Sequence, residues 1–248
     1  MRLTDKVAIV TGGAAGFGEG IARLFAAEGA RVVVADLNGE GAAQVAASLG
    51  DSAVAIRTDV SQGAEVQAMV DLALARFGRL DILVNNAGTT HRNRPMLEVD
   101  EASFDRIFAV NVKSIYHGAR AAVPVFRQQG GGVILNTAST AGLRPRPGLT
   151  WYNASKGAVI TLSKSMAVEL APDKIRVNAL CPVAGETALL KDFMGEDTPE
   201  KRAAFVATVP LGRLSRPEDI ARAALYLVSE EADFITGVAL EVDGGRCI

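Results

Sequence analysis

The sequence predicts an α/β fold, a doubly wound, about seven-stranded parallel sheet with helices on both faces, and three observations predict it. Short Val/Ile/Leu-rich runs alternate with longer amphipathic stretches from the first residues to about Leu180, the pattern of repeated βα units. The chain has 248 residues, 49% of them hydrophobic, which is enough to bury one sizeable core, and no Pro/Ser-rich linker divides it. Residues 1–248 are therefore expected to form one domain. The first apolar run passes directly into a glycine cluster that opens a helix, as at the ligand-facing end of a parallel sheet.

In chain order, strands are expected at Val7–Thr11, Arg31–Ala35, Ala53–Arg57, Ile82–Asn85, Val133–Ala138 and Arg176–Leu180, with Ala239–Val242 as a seventh. Several are nearly continuous apolar runs, as strands covered on both faces require. Helices are expected at Gly18–Glu28, Glu40–Leu49, Ala64–Phe77, Ser103–Gln128, Tyr152–Leu170 and Pro217–Leu227. Residues 183–215 break the pattern: they follow a strand, have weak periodicity, and carry Gly185, Gly195, Pro199, Pro210 and Gly212. A segment of this length outside the sheet reads as a substrate lid.

Composition narrows the partners. A net charge of −2 without a Lys/Arg run argues against nucleic acid or an anionic membrane and leaves small molecules. Cys181 and Cys247 lie in no C-x-x-C or Cys/His cluster, so neither a disulfide framework nor a metal site is expected. The apolar stretch Val7–Val10 is too short for a signal segment and no apolar run would span a bilayer, so the expected compartment is the cytoplasm.

After the first strand comes Thr11-Gly12-Gly13-Ala14-Ala15-Gly16-Phe17-Gly18. Gly12, Gly16 and Gly18 would serve a tight turn, close backbone approach to a pyrophosphate, and helix-on-strand contact, with Phe17 carried in the same loop. Phosphate would rest on the free N–H groups of the new helix. The spacing differs from G-x-G-x-x-G, and by itself the cluster suits a plain turn equally well. Asp36, followed by Leu37, shifts the balance. It closes the second strand about twenty residues on, where a carboxylate can hold both hydroxyls of an adenosine ribose, although an N-cap or turn aspartate is its other reading. The same charge repels a 2′-phosphate, and Ala15 offers no cation to accept one. A Rossmann-type domain that prefers NAD to NADP is the expectation.

Tyr152 and Lys156 stand four apart at the start of a helix and so share a face. A phenol titrates near 10, so service as a base near neutrality needs a fall of about 2–3 units, of which one nearby cation supplies about 1–3. Ser139, just beyond a strand, lies at the carboxyl end of the sheet and could orient a substrate oxygen. Alone, the Tyr–Lys pair reads as surface helix and the serine as a turn; their conjunction with the nucleotide features carries the argument.

Taken together, these residues resemble the short-chain dehydrogenase/reductase family over essentially the whole chain. Thr11-Gly12-x-x-x-Gly16-x-Gly18 resembles its cofactor loop, Asp59-Val60 its adenine contact, and Asn85-Asn86-Ala87-Gly88 its signature after the fourth strand. Asn111, Ser139, Tyr152 and Lys156 match its catalytic tetrad in order and spacing. The resemblance implies metal-independent hydride transfer between an alcohol carbon and nicotinamide, with Tyr152 as general base or acid. Lys156 would hold the ribose and lower the Tyr pKa, and Asn111 would organise a proton-carrying water chain. It also implies a homotetramer, with Ser103–Gln128 and Tyr152–Leu170 across one interface. One departure stands out: the family's Asn-x-x-x-Pro-Gly reads here Asn178, Pro182, Val183, with Gly185 and Thr187 beyond. Valine lacks glycine's backbone freedom, so the cofactor contacts expected at Pro182, Gly185 and Thr187 could follow a different path.

By the same resemblance the substrate pocket would be lined by Thr89–Arg94, Leu143–Pro147 and Trp151, with the lid. That places Arg92, Arg94, Arg144 and Arg146, with His91, near one region. Arginine suits carboxylate, sulfonate or phosphate and tryptophan offers an aromatic wall, and the Thr89–Asn93 and Gly148–Tyr152 stretches resemble those of bacterial dehydrogenases for aromatic alcohols bearing a sulfonate. An alcohol with an anionic or strongly polar group, aromatic or not, is therefore expected, with Arg144 as its contact; solvated loops or subunit contacts are the other reading of these arginines. Two further functions compete: an NADPH-dependent 3-oxoacyl thioester reductase, opposed by Asp36 and Ala15, and an NAD-sensing module without turnover, opposed by the intact tetrad.

Overall fold

The computed structural model describes residues 1–187 and 189–248. Seven strands, β1 (Val7–Thr11), β2 (Arg31–Asp36), β3 (Ala53–Arg57), β4 (Ile82–Asn85), β5 (Gly132–Thr137), β6 (Ile175–Pro182) and β7 (Ala239–Val242), form one sheet in the order β3-β2-β1-β4-β5-β6-β7. Every pairing is parallel, with Val7 opposite Arg31 and Ala8 opposite Ile82 in the central register. The winding reverses between β1 and β4, and a crevice opens there at the strands' carboxyl ends.

Alternation along the strands builds two apolar layers. Ala8, Val10, Val34 and Val84 meet Ile21 and Phe25 of α1 (Gly16–Ala27) and Leu225 of the last helix on one face. Val7, Ile9, Val33 and Leu83 meet Met69, Phe126 and Leu170 on the other. Those come from α3 (Gly63–Phe77), α5 (Ser114–Gln129) and α6 (Thr150–Leu170), while α2 (Gly39–Ser48) adds Ala42 and Val45 to the first layer. A β1 residue thus faces a helix on either side, which is why its sequence is apolar without alternation.

Two expectations change. The helix expected at Ser103–Gln128 is three pieces: α4 (Glu101–Phe108), a π-helical turn over Ala109–Lys113, and α5. Asp100 caps α4 by accepting from the Ser103 N–H at 2.7 Å, which starts it earlier than the apolar pattern does. The π turn carries Asn111, a widening of the kind found at functional positions. The segment 183–215 folds into α7 (Leu190–Met194) and α8 (Pro199–Val206) around Val183, Phe205, Val209 and Leu214. The final helix, α9 (Pro217–Val228), follows.

Candidate active site

A cleft enclosing about 1180 Å³, open mouth included, lies over the carboxyl ends of β1, β4, β5 and β6. At one end are Gly12, Ala15, Gly16, Phe17 and Asp36; at the other, Ser139, Tyr152, Lys156, Phe193 and Phe205. Gly12 and Gly16 have φ of +65° and +58°, the left-handed region that suits glycine. A Cβ on Gly18 would come within 2.0 Å of the Gly12 carbonyl oxygen, so this glycine shapes the loop from behind rather than lining the cleft. The Thr11 hydroxyl ties β1 to β4 by donating to the Val84 carbonyl and accepting from the N–H groups of Asn86 and Ala87 at 3.0 and 3.1 Å. Asn86 returns a side-chain bond to the Thr11 carbonyl, and Ala87 and Gly88 join the cleft wall.

The Asp36 carboxylate accepts from the Ala14 N–H at 3.0 Å and the Asn38 N–H at 2.8 Å, fixing it beside the glycine loop. No cation pairs with it among the described residues. Leu37 is 61% exposed and does not line the cleft. Asp59 accepts from the Ser61 N–H and hydroxyl at 2.9 and 2.7 Å, and Val60 is buried in the second layer, so neither side chain lines the cleft.

Tyr152, Ser155 and Lys156 occupy the buried face of α6. The Lys156 ammonium donates to the Thr137 carbonyl at 2.7 Å and lies 5.8 Å from the Tyr152 ring centroid. Burial pushes Lys156 down to about 8 and Tyr152 up to about 12, the tyrosine being opposed by hydrogen bonding with Ser139 and by the positive charge of Arg146. The fall in the Tyr pKa expected from Lys156 is thus absent in the chain alone, because desolvation outweighs the neighbouring charges. The Ser139 hydroxyl accepts from the Ala141 N–H at 3.1 Å. Asn111 lies behind the cleft. Its oxygen accepts from the Thr89 N–H at 2.8 Å, and its amide donates to the Thr89 carbonyl and to the Ser155 hydroxyl, which bonds the Tyr152 carbonyl.

The loop beyond β6 follows a path that valine permits. Val183 is buried, its N–H continues the sheet to the Val242 carbonyl at 3.2 Å, and its φ is not positive. The glycine requirement has moved to Gly185, where a Cβ would meet the Phe17 ring at 2.5 Å. Pro182, Gly185 and Thr187 line the cleft.

The expected substrate residues are placed differently. Arg92 and Arg94 line a separate polar hollow with Asp100 and Asp192, and the Arg92 guanidinium donates to the Gly195 carbonyl. Trp151 does not line the cleft: its ring is edge-on to Phe104 and its indole N–H donates to the Met96 carbonyl at 3.2 Å. Arg144 is exposed and grips the Arg246 carbonyl. In an extended loop neighbours two apart share a direction only if the chain is straight; here it turns, and Arg146 enters the cleft instead of Arg144. Reading the sequence alone did not find Thr11 as a strap, Thr137 as the Lys156 acceptor, or Arg246, Phe193 and Phe205 as cleft residues. A threonine ending each of β1 and β5 is the only local signal for the first two.

A glycine turn at the reversal of a parallel sheet and a buried Tyr–Lys pair at the other end of the same cleft define a nucleotide-type oxidoreductase site. The family model described as Enoyl-(Acyl carrier protein) reductase matches residues 12–246, and the chain belongs to the short-chain dehydrogenase/reductase family. It is 54% identical to a 4-formylbenzenesulfonate dehydrogenase of Comamonas testosteroni, with all of both chains covered. It is 40% identical to a cyclopentanol dehydrogenase of Comamonas sp., covering 98% of each. Among solved structures, a 3-ketoacyl-(acyl-carrier-protein) reductase of Brucella melitensis complexed with NADH has a TM-score of 0.94 at 50% identity, covering 99% of this chain and 100% of that one.

Proposed function

We propose that this chain is a dehydrogenase/reductase that moves a hydride between NAD(H) and the CH–OH or carbonyl carbon of a small molecule, with Tyr152 as the proton-transferring group. The observation that carries the reading is the Tyr152–Lys156 pair buried at one end of a cleft whose other end holds positive-φ glycines and a carboxylate. The residues suit the dinucleotide: Gly12 and Gly16 let the loop adopt left-handed backbone angles in the cleft wall, and Asp36 lines the same end. Gly18, Leu37, Asp59 and Val60 would act from around that end, with Asn86, Ala87, Gly88, Pro182, Gly185 and Thr187 along the wall.

Bound NAD+ would supply the hydride acceptor and a positive charge. The Ser139 hydroxyl orients the substrate oxygen and Tyr152 takes or gives its proton. Held protonated to about pH 12 in the chain alone, Tyr152 is by itself an acid, suited to carbonyl reduction. Lys156, fixed by Thr137, sits where it can hold a ribose hydroxyl, and Asn111 links the Thr89 loop to α6. A 3-oxoacyl thioester reductase is the second reading and is favoured by the solved relative's name; that relative holds NADH, and the Asp36 charge opposes the use of NADPH. By family likeness we place the enzyme in the cytoplasm as a homotetramer; α5 and α6 expose Tyr116 and Val168, and light scattering would read the assembly. No helix among the described residues is long and apolar enough to cross a membrane.

Tyr152→Phe tests the reading. With NAD+ and a panel of alcohols, kcat should fall by about 10³-fold or more, since general acid–base catalysis contributes 10²–10⁴, while NADH binding by fluorescence titration stays within a few-fold. A variant retaining a tenth of kcat would remove Tyr152 from the role.

A further inference from the structure

We propose that Arg146 and Arg246 form an anion receptor at the substrate end of the cleft, selecting an aromatic alcohol or aldehyde that carries a carboxylate or sulfonate away from the reacting carbon. The inference rests on the dehydrogenase reading for which end of the cleft holds substrate. Both arginines line the same cleft as Tyr152. Both guanidiniums lie against one ring, Arg146 at 4.7 Å and Arg246 at 5.2 Å from the Phe205 centroid. Among the described residues neither makes an ion pair or a side-chain hydrogen bond.

Their approach is built into the fold. The Arg146 carbonyl accepts from the Asn153 amide at 2.8 Å, beside Tyr152 on α6. The chain end is bent by Gly244 and Gly245 at φ +64° and +88°, and the Asp243 carboxylate accepts from the N–H groups of Gly245 and Cys247. The Arg144 guanidinium then clasps the Arg246 carbonyl, so Arg144 positions the receptor. Stacking on Phe205 explains one guanidinium there; two like charges in a half-buried site repel. Burial first, and the Arg246 charge second, make the Arg146 cation costlier to hold, against which the Tyr152 oxygen acts weakly. An anion between the two removes the repulsion, and guanidinium forks match a carboxylate or sulfonate. The same cleft is also lined by Phe193, whose ring centroid is 5.1 Å from that of Tyr152, and by Leu149 and Val183, which suit a flat apolar body.

The test compares 4-(hydroxymethyl)benzoate with benzyl alcohol in wild type, Arg146→Gln, Arg146→Lys and Arg246→Gln, alongside calorimetric titration with benzenesulfonate with and without NADH. Wild type should favour the anionic alcohol by tenfold or more in kcat/KM. Arg146→Gln should erase most of that preference, chiefly through KM for the anionic alcohol, and weaken benzenesulfonate tenfold or more. Arg146→Lys should retain part of both, and Arg246→Gln, which replaces a side chain that makes no hydrogen bond or ion pair among the described residues, should lose at least threefold. Wild type that turns over both alcohols equally, or variants that lower both alike with benzenesulfonate binding intact, would overturn the receptor and leave the dehydrogenase reading standing. Arginine-dependent benzenesulfonate binding in a protein that oxidises neither alcohol would do the reverse.

Discussion

Replacing Asp36 by Ser should collapse a preference for NAD+ over NADP+ that the structure allows to be sized. The carboxylate faces the cleft with no ion-pair partner among the described residues, so its charge is not locally neutralised. A 2′-phosphate charge at ~4 Å, with an effective dielectric of ~20, would be repelled by about 4 kcal/mol. Solvent at the open mouth reduces this, and ~2–4 kcal/mol corresponds to roughly 30–1000-fold in kcat/KM. The same carboxylate also braces Ala14 and Asn38 through backbone N–H bonds at 3.0 and 2.8 Å, so Ser also loosens the glycine loop by about 1–3 kcal/mol. Asp36→Asn separates the two effects, because its remaining carbonyl oxygen can brace one N–H while the charge is gone. Initial rates with each cofactor and one alcohol give the ratio, expected to fall below about tenfold in both variants. Wild type that prefers NADP+, or an Asn variant with an unchanged ratio, would refute the electrostatic argument.

Lys156→Met should stabilise the fold at pH 7 while abolishing turnover. The native lysine titrates at about 8 against 10.5 unfolded, so between those values the unfolded chain binds more protons and wild-type stability rises with pH. Above pH 10 the trend reverses, since native Tyr152 keeps its proton to about 12. The lysine shift is worth about 3 kcal/mol, and losing the bond to the Thr137 carbonyl returns about 1–2, leaving a net gain of about 1–2 kcal/mol by urea denaturation. An equal rise from pH 8 to 10 in the variant would assign that rise elsewhere. Gly18→Ala forces a Cβ to 2.0 Å from the Gly12 oxygen, so NADH binding should weaken tenfold or more and Tm should fall; a variant matching wild type in both would show that the loop can shift freely.

The sheet was legible because its strands are covered on both faces: Val7–Thr11 and Ile82–Asn85 are apolar up to their last residue, and their bounds in the structure are those expected. The breaks in helices were less so. The apolar spacing from Ser103 onward reads as one continuous helix, and the widening at Ala109–Lys113 goes with tertiary contacts that spacing does not show, the Asn111 side chain bonded to Thr89 and Ser155. Boundaries at β5 and β6 moved by one or two residues where pairing, rather than composition, sets them, as with Pro182 opposite Val242.

Within the site, legibility tracked how local the geometry is. Tyr152 and Lys156 share a face by helix period alone, and Asp36 reaches the glycine loop because β1 and β2 are adjacent parallel strands ending together, Thr11 opposite Ala35. The Tyr152 pKa was not legible, because its sign depends on burial by residues such as Ala141 and Phe193 that are distant in sequence. The placement of Arg144 outside the cleft was hidden for the same reason. Arg144 and Arg146 are chemically equivalent in sequence, and only the turn of the loop sends one to the chain end and the other to the Phe205 ring. The Arg144 guanidinium, bonded to the Arg246 carbonyl, ties to the rest of the fold a residue that lines the cleft. A change at Arg144 should therefore act on anion selectivity indirectly, through Arg246, and more weakly than a change at Arg146.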